Sequence, residues 1–159
     1  SLQPDYNFIT ILKSLGCKVE QSNEDLLVQQ ASTLHPIECN LNSTPDLFPV
    51  LAVLCAFANG ESILSGAPHL VFKESNRLHK TAELLSKAGF QLKEMSEGLS
   101  IKGTPNPALR SFDFDTDKDH RMAFAAALLK LKGFSINIQN PNVVSKSFPE
   151  FWRCIGVEP

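Results

Sequence analysis

The chain repeats itself without a gap at an offset of 73 residues, and that periodicity restricts its fold more than any local propensity does. Gly16 pairs with Gly89, Leu26 with Leu99, Asp46 with Asp119, Gly60 with Gly133, and Ser62-Ile63 with Ser135-Ile136. Pro68, Val71 and Lys73 then pair with Pro141, Val144 and Lys146. The matches fall on glycines, prolines and helix starts, so the repeated stretch reads as one structural unit used more than once.

Within each copy the pattern is regular. Residues 8–15 and 78–88 carry apolar side chains at helical spacing, and each run ends at a glycine suited to a left-handed cap. Two short alternating segments follow, 18–20 with 26–29 and 91–94 with 99–102, separated by Ser22-Asn23-Glu24-Asp25 and Ser96-Glu97-Gly98. Each pair reads as a hairpin. A second helix, 45–58 or 119–131, is rich in Ala and Leu with few charges, so it is expected to be buried nearly all round. Thr44 before Pro45 has the form of an N-cap, and Thr116 with Asp119 has capping-box spacing. Strands over 62–64 and 135–139 close the copies, and residues 147–155 begin a third.

The residues thus spell β-α-β-β-α, an α/β or α+β arrangement with buried helices covered by sheet. The partner of Lys73 in the first copy would precede Ser1, so the chain reads as starting inside a unit, a partial domain over 1–159 taken from a longer polypeptide.

Composition narrows the function. With 43% hydrophobic and 20% charged residues and a net charge of -2, the chain is an ordinary globular protein with no call for nucleic acid or an acidic membrane as partner. It holds no apolar run long enough for a membrane-spanning helix and no basic-plus-apolar leader, which makes the cytoplasm the default. Cys17, Cys39, Cys55 and Cys154 form no C-x-x-C pair, and Cys17, Cys55 and Cys154 lie in stretches that read as core. They are expected to be reduced thiols, and the scattered histidines predict no metal site.

Four polar segments fall at strand ends or helix starts: Ser43-Thr44-Pro45-Asp46, Lys73-Glu74-Ser75-Asn76-Arg77, Asp117-Lys118-Asp119-His120-Arg121 and Ser145-Lys146-Ser147-Phe148-Pro149. A repeat brings equivalent junctions to one end of a domain, so Lys73, Arg77, Arg121 and Lys146 are expected to ring one anion site. Helix N-termini add free N–H groups, and arginine forks match carboxylate and phosphate. Asp46 and Glu74 would be carboxylates set among cations, a setting for proton transfer. Taken singly each segment says less: Lys73–Arg77 reads as a solvated helix start, Asp46 and Asp119 as caps, and His120 as a packed or hydrogen-bonded histidine.

Read together and in order, Pro45-Asp46, Lys73-Glu74-Ser75-Asn76-Arg77-Leu78, Asp119-His120-Arg121-Met122-Ala123 and Lys146-Ser147-Phe148-Pro149 resemble the motifs of the 5-enolpyruvylshikimate-3-phosphate (EPSP) synthase family, over about residues 5–155. The resemblance implies an enolpyruvyl-transferase-like domain of repeated β-α-β-α-β-β units, the C-terminal part of a two-domain enzyme with its site in the interdomain cleft. It implies transfer of the enolpyruvyl group of phosphoenolpyruvate to the 5-hydroxyl of shikimate 3-phosphate, with release of phosphate, no cofactor and no metal. Glyphosate would compete for the phosphoenolpyruvate part. By position, Asp46 would accept the 5-hydroxyl proton and Glu74 would donate to the methylene carbon. Asp46, His69 and Lys73 would contact shikimate 3-phosphate, and Arg77, Arg121 and Lys146 would hold phosphoenolpyruvate.

The chain departs from the family pattern at Asn76, where aspartate is usual, at Ser145, where alanine is frequent, and at His69, where many members carry asparagine. The other domain, which supplies most shikimate 3-phosphate contacts, is the partner these residues imply. The chain alone is therefore expected to be inactive. The related transferase of peptidoglycan synthesis lacks this motif combination, and a non-catalytic domain of the same fold would be expected to lose the six residues that are all present here.

Overall fold

The structure, a computed structural model, describes residues 6–159. Helix α1 (Tyr6–Ser14) leads into the antiparallel hairpin β1 (Lys18–Gln21) and β2 (Leu26–Gln29). A short strand β3 (Glu38–Asn40) and a 3-10 turn (Pro45–Leu47) precede helix α2 (Phe48–Ala56) and strand β4 (Glu61–Ser65). A second 3-10 turn (Pro68–Phe72) precedes α3 (Arg77–Lys87), the hairpin β5 (Gln91–Met95) and β6 (Gly98–Lys102), and β7 (Ser111–Asp115). Helix α4 (His120–Leu131), strand β8 (Ser135–Gln139), a third 3-10 turn (Pro141–Lys146) and α5 (Phe151–Ile155) complete the order.

The run from β3 to β6 is therefore one whole β-α-β-α-β-β unit, flanked by the end of one copy and the start of another. The residue pattern alone, β-α-β-β-α, was one strand short, because it misses β3 and β7. β3 is three residues long and largely exposed, and β7 reads Ser-Phe-Asp-Phe-Asp, where aspartate works against strand propensity. Its period-two alternation was nonetheless present.

Glycines make the repeat exact at its corners. Gly16 and Gly89 both end a helix at φ +95°, a left-handed geometry that costs an L side chain energy. At Gly98 an added Cβ would run into the main-chain carbonyl of Leu64, so only glycine lets β6 lie against β4. Four strands form one sheet in the order β3-β4-β6-β5, with β3 and β4 parallel; β7 and β8 form a parallel pair. There the repeat slips. Glu38 pairs with Ile63, but Ser111 pairs with Ser135 rather than with Ile136, the residue 73 beyond Ile63. One residue of slip exchanges faces, so Ser62 is buried while its sequence match Ser135 is exposed.

The core is built around α2 and α4, which pack together and against strands of the sheets. Leu51, Ala52, Cys55 and Ala56 of α2 and Met122, Ala125, Ala126 and Leu129 of α4 are fully buried. A leucine or phenylalanine so placed contributes about 1.5–3 kcal/mol. Burial pushes the Cys55 thiol up to about 11, against a hydrogen bond with Ser62 that lowers it. Cys17 is half-buried, and Cys154 is exposed on the short α5, contrary to the core position expected of it.

Along the outer side of α2 and α4 runs an open apolar groove of about 370 Å³, lined by Phe8, Leu54, Phe124, Leu128, Leu131 and Phe151 among others. Among the described residues, no helix is long and apolar enough to cross a membrane.

Candidate functional site

Each helix start that carries a motif follows the C-terminal end of a parallel strand. Asp46 lies beyond β3, Lys73–Arg77 beyond β4, Asp119–Arg121 beyond β7 and Lys146 beyond β8. Ligands in open α/β sheets gather at such ends, and the structure draws three of these four junctions into one cluster.

At its centre is Arg77, the first residue of α3, with only 4% of its side chain exposed. Its Nε donates to Asp119 Oδ2 at 2.8 Å and its Nη2 donates to Asp119 Oδ1 at 3.2 Å, a side-on fork. The remaining nitrogen, Nη1, donates to Asp46 Oδ1 at 2.7 Å. The expectation that 73–77 is a solvated helix start fails at Ser75 and Arg77, which are both buried.

Asp119 is fully buried and accepts two further hydrogen bonds, from Ser75 Oγ at 2.8 Å and from the Arg121 backbone N–H at 3.0 Å. The last of these makes it the N-cap of α4. Burial alone would raise its pKa; the hydrogen bonds from Arg77 and Ser75, the Arg77 charge and the Arg121 N–H outweigh that and hold it below the usual carboxylate range. The capping box expected of Thr116 does not form. The Thr116 hydroxyl donates instead to the Gln139 carbonyl of β8. Thr44 likewise makes no side-chain cap, although Pro45 does open its turn.

Asp46 is the open counterpart, with 48% of its side chain exposed. Besides Arg77 it has Lys73 Nζ at 3.8 Å from Oδ1 and an Arg121 nitrogen at 3.8 Å from Oδ2. Three cations thus face one carboxylate. Arg121 keeps a buried Nε that has no partner among the described residues. Beside this group Glu74 Oε2 lies 3.3 Å from His120 Nδ1, and the His120 ring meets Phe124 edge-on. His120 is thus hydrogen-bonded, as read from the sequence, but its partner is a motif carboxylate.

Glu74, Asp119 and His120 lie close enough to share a cation. The four hydrogen bonds already accepted by Asp119 leave its oxygens little capacity for a metal.

Asp46, Lys73, Glu74, Arg77 and Arg121 are therefore brought together. His69 and Lys146 are exposed, and neither makes a hydrogen bond or ion pair to the cluster among the described residues. Three participants were not singled out as site residues: Ser75, Asp119 and His120. Asp119 read as a cap and is one, but the partners it takes from 42 and 44 residues away left no local signal.

Comparison with known proteins follows the same lines. The family model for EPSP synthase (3-phosphoshikimate 1-carboxyvinyltransferase) matches residues 1–155. The 3-phosphoshikimate 1-carboxyvinyltransferase of Syntrophobacter fumaroxidans is 38% identical over 153 residues, covering 96% of this chain and 36% of that protein. The solved EPSP synthase of Acinetobacter baumannii superposes with a TM-score of 0.84 at 27% identity, over 93% of this chain and 37% of the other. The enolpyruvyl transferase NikO of Streptomyces tendae, at 20% identity, shares the fold with a TM-score of 0.75. The chain spans about a third of the length of these relatives.

Proposed function

This chain belongs to the EPSP synthase family, and on that footing we propose that it forms one rim of an active site that joins phosphoenolpyruvate to shikimate 3-phosphate. The observation that carries this reading is the convergence of Lys73, Arg77 and Arg121 on the half-exposed Asp46. Both substrates are multiply charged anions, and a cluster of fixed cations holds and orients such groups without reorganisation during the reaction.

In the proposed sequence the 5-hydroxyl oxygen of shikimate 3-phosphate bonds to the central carbon of phosphoenolpyruvate. Asp46 takes the hydroxyl proton, and Glu74 supplies a proton to the methylene carbon. The carbon–oxygen bond to phosphate then breaks, phosphate leaves, and a proton returns from the new methyl group to restore the double bond. Lys73 stands beside Asp46 for the shikimate 3-phosphate side, with His69 as a further contact. Arg77, Arg121 and Lys146 take phosphoenolpyruvate. For Arg77 this requires the substrate anion to share or displace the bond from Nη1 to Asp46.

The same proposal makes the chain a partial domain whose partner is the rest of a longer polypeptide. The apolar groove along α2 and α4 would seat a helix of a further repeat unit, because α2 and α4 already pack as two equivalent members of such a set. The 159 residues alone are expected to turn over nothing, and glyphosate is expected to compete with phosphoenolpyruvate in the complete enzyme. A cytoplasmic location belongs to this reading.

The test is turnover of the two substrates by a full-length enzyme carrying this chain, measured as phosphate release, with Asp46→Ala and Arg121→Ala alongside. Loss of activity in both variants is expected; undiminished turnover in both would sink the assignment.

A further inference from the structure

We propose that Asp119, seconded by Ser75, is a positioning residue for the reaction: it sets the Arg77 fork and ties the placement of Arg77 to that of Arg121. The proposal rests on the functional reading above and adds two residues to it.

A helix N-cap needs one acceptor for one backbone N–H. Asp119 does more than that. Its Oδ1 accepts the Arg121 N–H and the Arg77 Nη2, while its Oδ2 accepts the Arg77 Nε and the Ser75 hydroxyl. One buried carboxylate therefore fixes the starts of two helices, α3 through its first residue Arg77 and α4 through its second residue Arg121. Those two residues carry the arginines that face Asp46.

The geometry also selects which end of Arg77 is left for chemistry. Of the five N–H groups of an arginine, the side-on fork takes the one on Nε and one on Nη2. Nη1 remains, directed at Asp46 and thus toward the open part of the cluster. Without Asp119 the guanidinium could turn its flat fork on Asp46 and close the site on itself. With Asp119 in place, an incoming anion meets a guanidinium whose orientation is already set, with Nη1 on its side. Ser75 completes the arrangement by occupying the remaining acceptor direction of Oδ2, which keeps the carboxylate from rotating.

The experiment is a double-mutant cycle in the full-length enzyme, with KM for phosphoenolpyruvate, kcat and Tm read on every protein. Asp119→Asn keeps an N-cap acceptor of the same size and removes the charge that holds the fork. It is expected to raise the KM for phosphoenolpyruvate about tenfold or more, as misplaced binding groups do, with a smaller change in the KM for shikimate 3-phosphate. In an Arg77→Gln background the same change is expected to add nothing to that KM. A lowered Tm and active fraction with KM unchanged, or a KM effect that simply adds to that of Arg77→Gln, would overturn the proposal.

If Asp119→Asn does not fold, Ser75→Ala decides: a several-fold rise in the KM for phosphoenolpyruvate supports the proposal and an unchanged KM refutes it. If even the wild type turns over neither substrate, the functional reading falls separately. The affinity of the same four proteins for inorganic phosphate then decides the positioning claim, by the same non-additivity.

Discussion

Asp46 and Asp119 stand 73 residues apart at equivalent helix starts, and both bind Arg77, but their surroundings differ. Asp119 is sealed, takes both nitrogens of a fork and caps α4; Asp46 takes one nitrogen, caps nothing and is half open. The backbone before each accounts for part of the contrast. Pro45 opens a 3-10 turn and leaves Asp46 inside it, whereas Asp117 and Lys118 both adopt the left-handed conformation, after which Asp119 starts α4 directly. A repeat thus supplied two carboxylates to one arginine, and local turn chemistry sealed one as a structural anchor and left the other half open to solvent.

The widest gap between the two should appear in stability. Asp119→Ala strands a buried guanidinium and removes a cap, and is expected to cost about 3–5 kcal/mol in equilibrium denaturation. Asp46→Ala removes an exposed partner and should cost less than about 1 kcal/mol; equal losses would erase the distinction drawn here.

Acid should sharpen the contrast. Folded Asp119 releases its proton more readily than an unfolded aspartate, whose pKa is about 3.9. Its contribution is therefore complete above that value and is lost as pH falls through the lower folded one. Denaturation curves taken from pH 7 downward should show wild type converging on Asp119→Asn below about pH 4. A gap that stays constant into acid would mean that the charge is not what stabilises the fold.

Two smaller changes probe the same junction. Ser75→Ala deletes one of the four hydrogen bonds to Asp119 and should cost about 1 kcal/mol. Lys118→Gly relieves a left-handed non-glycine residue and should raise stability by up to about 1 kcal/mol. A loss at Lys118 would show that its side chain supports the turn.

Much of this was legible in the sequence. Helical periodicity and the glycines at 16 and 89 located α1 and α3, and the polar turns located both hairpins. Equivalent junctions foretold one cluster of Asp46, Lys73, Glu74, Arg77, Arg121 and Lys146; the first five meet, and Lys146 makes no bond to them among the described residues. What the sequence withheld was the bonding among them. Arg77 reaches 31 residues back and 42 forward, and Glu74 meets His120 across 46, separations at which no periodicity operates. The strands β3 and β7 escaped for a different reason, being short or rich in aspartate. The one-residue slip between copies shows that matching letters can still face opposite ways.

The claim that the repeat divided two equivalent aspartates into an anchor and an acceptor is tested most directly by Asp46→Asn in the full-length enzyme, with kcat and Tm measured on the same preparation. The kcat is expected to fall by about 10²-fold or more, as on loss of a general base, with Tm within a few degrees of wild type. Turnover retained at the wild-type rate, or a collapse of Tm like that expected for Asp119→Ala, would contradict it.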